Sequence, residues 1–238
     1  MKQFNFKIKK NMETIQKESM SDQNQLPEAT VSGVFGHSWE ILKKHFPELL
    51  LVLFVQILLS IPMGFTSVFF NMHYASTYTT GFFNFIYGVL VLMPVGYGTS
   101  WVFLKAVRGE SFRVQDIFFA YQSFGNILLA NLLVFLIVGA GFIMLIIPGI
   151  IFACKLSFVP YLVMDEKMEA VDAVKKSWNM TNGHAGTIFL MGITSIFVAI
   201  GGFICFFVGI FPASIWISLA FAAIYMVVSE KAKQDPIK

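Results

Sequence analysis

Charge is what this sequence has least of. Only 13% of its 238 residues are Asp, Glu, Lys or Arg, where a soluble domain carries about 25%. That deficit excludes an ordinary water-facing surface. Cysteine is equally scarce: Cys154 and Cys205 each sit inside an apolar run. No spacing supports a disulfide, a metal site or a nucleophile, and both read as small hydrophobes. The formal net charge is only +3, and the basic residues do not alternate with aromatics as a nucleic-acid groove requires. No carboxylate lies inside any apolar run. An acid–base cluster at one depth, the minimum for a membrane enzyme, is therefore missing. The sequence predicts no catalytic activity, no cofactor, no metal and no nucleic acid.

What is present is apolar: 56% hydrophobic residues and a mean hydropathy of +0.70. A membrane span needs about 20 mostly apolar residues. Six stretches are candidates: 49–70, 82–104, 127–147, 150–164, 187–211 and 213–228, the fourth short and the sixth marginal. Sixteen of the seventeen basic residues, and every acid, fall in the segments that alternate with the loops 71–81, 148–149 and 210–214. Those three loops carry no Lys or Arg. The excess of positive charge on one side predicts that both termini are cytoplasmic. The localisation expected is multi-pass, in a bacterial inner membrane. Residues 1–28 read as a disordered cytoplasmic tail, with no apolar run of signal-peptide type and with Met12 and Met20 as alternative starts. Residues 29–230 read as the six-helix membrane domain, and 231–238 as a cytoplasmic C-terminal tail.

Short amphipathic segments precede the first, third and fifth spans. Phe35, Trp39, Leu42 and Phe46 repeat at helical spacing; so do Ile117, Tyr121 and Phe124, and again Val171, Val174 and Trp178. Ser38-Trp39 and Ser177-Trp178 occupy matching places. The expected fold is all-α: six transmembrane helices as three hairpins, each entered through a cytoplasmic interfacial helix, with Trp39 and Trp178 as anchors. The bland alternative is that hairpin linkers drift amphipathic.

Val95-Gly96-Tyr97-Gly98 resembles a potassium-filter core, but the chain after it returns to charge within about nine residues, some 13 Å of helix, too short for an inner helix. Gly88, Gly96 and Gly98 read instead as packing notches, as does the small-residue stripe Ser214, Ser218, Ala222. Pro94 predicts a kink, and Pro148-Gly149 a tight outer turn. Lys155 is the one ionisable residue placed at membrane depth, where it costs about 2.5–3.5 kcal/mol. It either snorkels outward or borrows carbonyls near Pro160, or it faces a hydrated cavity and attracts an anion.

Several of these motifs together resemble the bacterial six-helix membrane families of unknown function related to the membrane domain of glycerophosphodiester phosphodiesterases. The likeness rests on Pro94 and Gly98, Arg108-Gly109-Glu110, Asp116-Ile117-Phe118, the Pro148-Gly149 stretch, Lys155, and residues 169–178 with Ala173 and Ser177. It covers about residues 34–228 and implies a fold without an established substrate. No phosphodiesterase catalytic domain is present, so that activity does not transfer. An oxygenase label found among such relatives needs four histidines on one iron. Here His37, His45 and His184 fall on the opposite side of the bilayer from His73.

Two functions are left. One is a non-catalytic envelope or assembly component acting on the lipid bilayer, anionic lipid headgroups, a membrane partner protein or a second copy of itself. The other is a transporter or channel for a small or anionic solute that uses Lys155.

Overall fold

The computed structural model describes residues 28–73, 77–204 and 209–234, with side chains over 28–66, 81–204 and 209–232. The expected N-terminal tail (except Glu28), Met12, Met20, Cys205 and the side chain of His73 lie outside the described residues. The described chain is all-helical, with no strand among these residues. Six helical stretches are long and apolar enough to cross a membrane: Phe46–Thr66, Gly81–Val107, Val114–Met144, Ile146–Asp165, Ala185–Ile204 and Ile210–Ala232.

Helix α1 (Val31–Lys44) starts where the Thr30 hydroxyl accepts the Gly33 N–H at 3.2 Å. It ends on Lys43 and Lys44, which favour the negative end of the helix dipole. Helix α2 (Phe46–His73) follows and contains Pro62. The second span is one path: α3 (Thr77–Tyr87), a π-helical turn (Gly88–Leu92) and α4 (Met93–Val107). That turn is how the helix accommodates Pro94, which has no N–H to donate. The Met93 N–H reaches back five residues to the Gly88 carbonyl. The expected kink is thus a local change of helical register.

The middle amphipathic segment is a 3-10 helix (Val114–Ser123), so its buried face repeats every three residues, Ile117 and Ala120. It runs directly into α5 (Phe124–Met144). The turn that follows is at Leu145, in extended conformation. The expected turn at Pro148-Gly149 is corrected: both lie in the first turn of α6 (Ile146–Lys155). Proline fits there because the first N–H groups of a helix have no partner to lose. Pro212 stands likewise as the third residue of α10 (Ile210–Gln234), so residues 210–214 are helix rather than loop. Gly149 packs instead of turning. A Cβ there would meet the Phe142 ring, and one at Gly141 would approach Gly149 Cα at 3.0 Å.

The fourth span is broken. Helix α6 stops at Lys155, and α7 (Val159–Asp165) restarts with Pro160 in its first turn. Helices α8 (Ala170–Met180), α9 (Ala185–Ile204) and α10 complete the chain; α10 carries the helix past 231 to Gln234.

Two expected notches are corrected. Gly88 and Gly96 face open space, with nothing within 4 Å of a Cβ. Gly98 is a true notch, since a Cβ there would overlap the Ile117 carbonyl. In the last span Ala222 is buried while Ser214 and Ser218 are half-buried. The core gathers toward the charged ends of α4, α7 and α10, around Leu104, Phe158, Leu162, Leu219 and Tyr225. The opposite ends expose apolar side chains such as Phe65, Phe135, Ile143 and Phe197, a surface compatible with lipid.

The expected stripes of the short helices are split. In α1, Phe35 and Leu42 are buried with Val34 and Ser38, while Trp39 is 43% exposed; Phe46, the first residue of α2, is exposed too. In α8 the buried face is Ala170, Ala173, Ser177 and Met180, and Val171 is exposed. His37, outside the spans, has a buried Nε2 without a hydrogen-bond partner. Burial pushes its pKa below the ordinary 6.5, outweighing the Glu40 charge. The unfolded chain then binds more protons than the folded one as pH falls through 6.5. The stability this group contributes is complete above that pH and is lost below it. We expect the thermal midpoint in detergent to drop between pH 7.5 and 5.5, and His37→Gln to reduce that drop; equal drops in the two proteins would disprove the assignment.

Candidate functional site

The ends of two spans meet the flank of a third in one polar cluster. Arg108 caps α4, Asp165 ends α7, and Tyr225 lies two-thirds of the way along α10. Arg108 Nη1 and Nη2 donate to Asp165 Oδ1 and Oδ2 at 2.5 and 2.6 Å. The Tyr225 hydroxyl donates to Asp165 Oδ2 at 2.9 Å. The Arg108 and Asp165 side chains are 21% and 11% exposed. A two-pronged, charge-assisted pair of this kind fixes geometry as well as energy. Burial opposes the Arg108 charge, but the hydrogen bond and negative charge of Asp165 prevail and raise its pKa, so it stays ionised. Tyr161 stacks on Tyr225 with ring centroids 5.0 Å apart, and Phe158 meets it edge-on at 5.6 Å. These rings aim the hydroxyl.

Two ion pairs flank the cluster. Lys105 Nζ donates to Asp116 Oδ2 at 2.8 Å, joining α4 to the 3-10 helix. Asp116 also accepts the Arg113 N–H at 3.3 Å. Lys176 pairs with Glu166, joining α8 to the end of α7. Asn126 on α5 holds the start of α8 from both sides. Its amide donates to the Met168 carbonyl and its oxygen accepts the Ala170 N–H, each at 2.6 Å.

Lys155 sits at the break between α6 and α7, and it does not reach outward. Its Nζ donates to Asn182 Oδ1 at 2.9 Å and lies 4.2 Å from the centre of the Trp178 ring. Its carbonyl, left without an intrahelical donor where α6 stops, accepts Ser177 Oγ at 2.7 Å and Thr181 Oγ1 at 3.3 Å. Outward snorkelling is therefore corrected. The side chain turns toward the C-terminal end of α8, because the Trp178 ring face and, just beyond the helix, the Asn182 acceptor wait there.

Of the residues singled out in sequence, Arg108 and Asp116 belong to the charged cluster. Lys155, Ser177 and Trp178 form a second group. Pro94, Gly98, Pro148 and Gly149 act through helix starts and close packing. Trp39 packs against Trp216 at 4.9 Å, and the Trp216 Nε1–H donates to the Phe35 carbonyl at 2.8 Å. Asp165, Tyr225 and Trp216 were not singled out. Their sequence signals are weak: an acid closing a span, and two polar-tipped aromatics inside an apolar one. Among the described residues no three His, Cys, Asp or Glu side chains stand together as metal ligands.

Fold and site define an all-helical, multi-pass integral membrane protein whose span ends are tied by charged pairs. Comparison with known protein families, with curated proteins and with solved structures gives no match.

Proposed function

We propose that the chain is a non-catalytic membrane component that works through lipids and partner proteins. The observation that carries this reading is the engagement of Lys155. Its ammonium is taken up by Asn182 and Trp178, and it is absent from the walls of the 490 Å³ cavity between α4 and α5–α7. A cation serving an anion pathway would line a water-filled cavity. Lys105 with Asp116, Arg108 with Asp165 and Lys176 with Glu166 are likewise engaged with one another, as in a scaffold.

The finer architecture in this proposal is three hairpins closed into a ring. The 3-10 helix packs on α4, α8 on α5 and α7 with a lighter touch on α6, and α1 on α10. Each short segment thus touches the second span of the hairpin before it, the first closing onto the last, and α8 also packs on the first span of its hairpin. A buried small residue followed by a more exposed aromatic recurs at Ser38-Trp39, Ala120-Tyr121 and Ser177-Trp178. The buried pairs Leu49/Val52 and Ile188/Met191 both fall ten and thirteen residues after the Trp. In the middle copy Ile127/Ala130 fall six and nine after Tyr121, about one helical turn sooner. The amphipathic segments then lie at the cytoplasmic headgroups of a bacterial inner membrane with both termini inside, and the resemblance to the phosphodiesterase-related families is part of the same proposal.

Lys155→Met tests the reading. We expect chloride and phosphate flux in reconstituted vesicles to match the unmodified protein. The loss of one hydrogen bond and one cation–π contact should cost about 1–2 kcal/mol of stability. A loss of flux in a folded variant would favour the transporter alternative instead.

A further inference from the structure

The 490 Å³ cavity combines an apolar wall with polar groups that have nothing to bind. It lies between α4 and the α5–α7 hairpin, lined by Tyr97, Asn131, Val138, Phe142, Ser157 and their neighbours. Phe135, 73% exposed, stands at its edge, so it opens sideways toward lipid. Tyr97 is 6% exposed, yet its hydroxyl has no hydrogen bond among the described residues; nor has the Asn131 carboxamide. Ser157 donates to the Cys154 carbonyl at 2.8 Å and keeps its oxygen free to accept. Neither group is sealed off from the cavity, and a polar group that faces hydrocarbon without a partner is costly. Two such groups at one cavity point to a ligand that satisfies them.

Position and charge set the chemistry of that ligand. Asn131 is the eighth residue of α5, Tyr97 the fifth of α4, and Ser157 lies in the break between α6 and α7. The remaining walls on α5 run from Val134 to Phe142, about 12 Å farther along that helix at 1.5 Å per residue. The polar groups therefore stand at one end and the hydrocarbon surface at the other. No Asp, Glu, Lys or Arg lines the cavity, so a charged head would enter unpaired at high cost. The volume is within the range of ligand pockets.

We propose that this cavity binds a neutral lipid, whose hydroxyl or carbonyl head meets Tyr97 and Asn131 and whose chain lies along Val134, Val138 and Phe142. The site rests on the membrane-embedded reading of the chain and names what that reading left open, the lipid class.

The test uses the full chain in phosphatidylcholine nanodiscs and two probes. One is a long-chain alcohol carrying a photoactivatable diazirine; the other is the same chain with a phosphate monoester head. We expect the alcohol to label residues 131–142 and 153–160 above all others, and unlabelled alcohol to compete. Tyr97→Phe and Asn131→Leu should each lower that labelling about fivefold, the loss of one hydrogen bond of about 1 kcal/mol. Gly139→Leu should lower it at least as much, because a Cβ there meets nothing within 4 Å and the side chain fills the cavity. If that variant does not fold, Tyr97→Phe, which removes a single oxygen, decides alone. Labelling spread evenly over exposed stretches such as 193–204, labelling insensitive to Tyr97→Phe, or equal labelling by the phosphate monoester would overturn the site. Release of the chain from membranes by carbonate, scored before any probe is added, would overturn the membrane reading separately.

Discussion

Asp165→Asn is expected to lower the thermal midpoint in detergent by about 5–10 °C. The substitution keeps the shape of the side chain and removes its charge. Arg108 is then left partly buried without its paired carboxylate, and the Tyr225 hydroxyl faces a weaker acceptor. Breaking a fully buried ion pair costs about 3–5 kcal/mol. With Arg108 still 21% exposed, about 2–3 kcal/mol is the fitting size, and each kcal/mol moves the midpoint of a chain this long by about 2–4 °C. Arg108→Leu should cost a similar amount. The double variant Arg108→Leu/Asp165→Asn should be clearly more stable than the sum of the single losses predicts, since no orphan charge remains. Strict additivity in that cycle, read by thermal unfolding, would show that the pair is not coupled. The cluster would then not be the tie that joins the ends of α4 and α7 to α10.

Gly98→Ala is expected to be about as damaging, at about 2–3 kcal/mol, while its neighbour Gly96→Ala should be neutral or slightly stabilising. Both glycines lie in α4, and on helix propensity alone each would gain about 0.5–1 kcal/mol from alanine. At Gly96 the new methyl meets nothing within 4 Å, so the propensity gain stands alone. At Gly98 it overlaps the Ile117 carbonyl, a backbone atom that moves only if the whole 3-10 helix moves. Overpacking of a tight contact costs about 1–3 kcal/mol, and the Lys105–Asp116 pair ties the same two elements. Similar midpoints for the two variants would show that the close approach of α4 and the 3-10 helix is not required.

These two glycines also show the limit of reading this chain. In sequence both fit a membrane packing notch. The choice between them depends on which face of α4 meets another backbone, and periodicity does not carry that information in a helix with apolar residues all round. Pro94 was legible as a disturbance, and its resolution as a π-turn follows from the missing N–H. Pro148 and Pro212 look like turn residues, but both sit just inside a helix, where proline is tolerated. Lys155 shows the same limit. Its depth was legible, its direction was not. The α6 break beside it holds because Ser177 and Thr181 supply hydroxyls from the distant α8 side of the chain.

The sequence alone determined the class of protein: six apolar stretches, separated alternately by charged and by uncharged segments. That much follows from local composition, because transfer to lipid depends on each segment's own hydropathy. Tertiary structure decided which polar residues meet. Arg108, Asp165 and Tyr225 lie 57 and 60 residues apart along the chain, and Phe35 and Trp216 are 181 apart. Distances of that kind close only when helices pack, and polar groups kept from water by that packing pair with whichever partner it brings within reach.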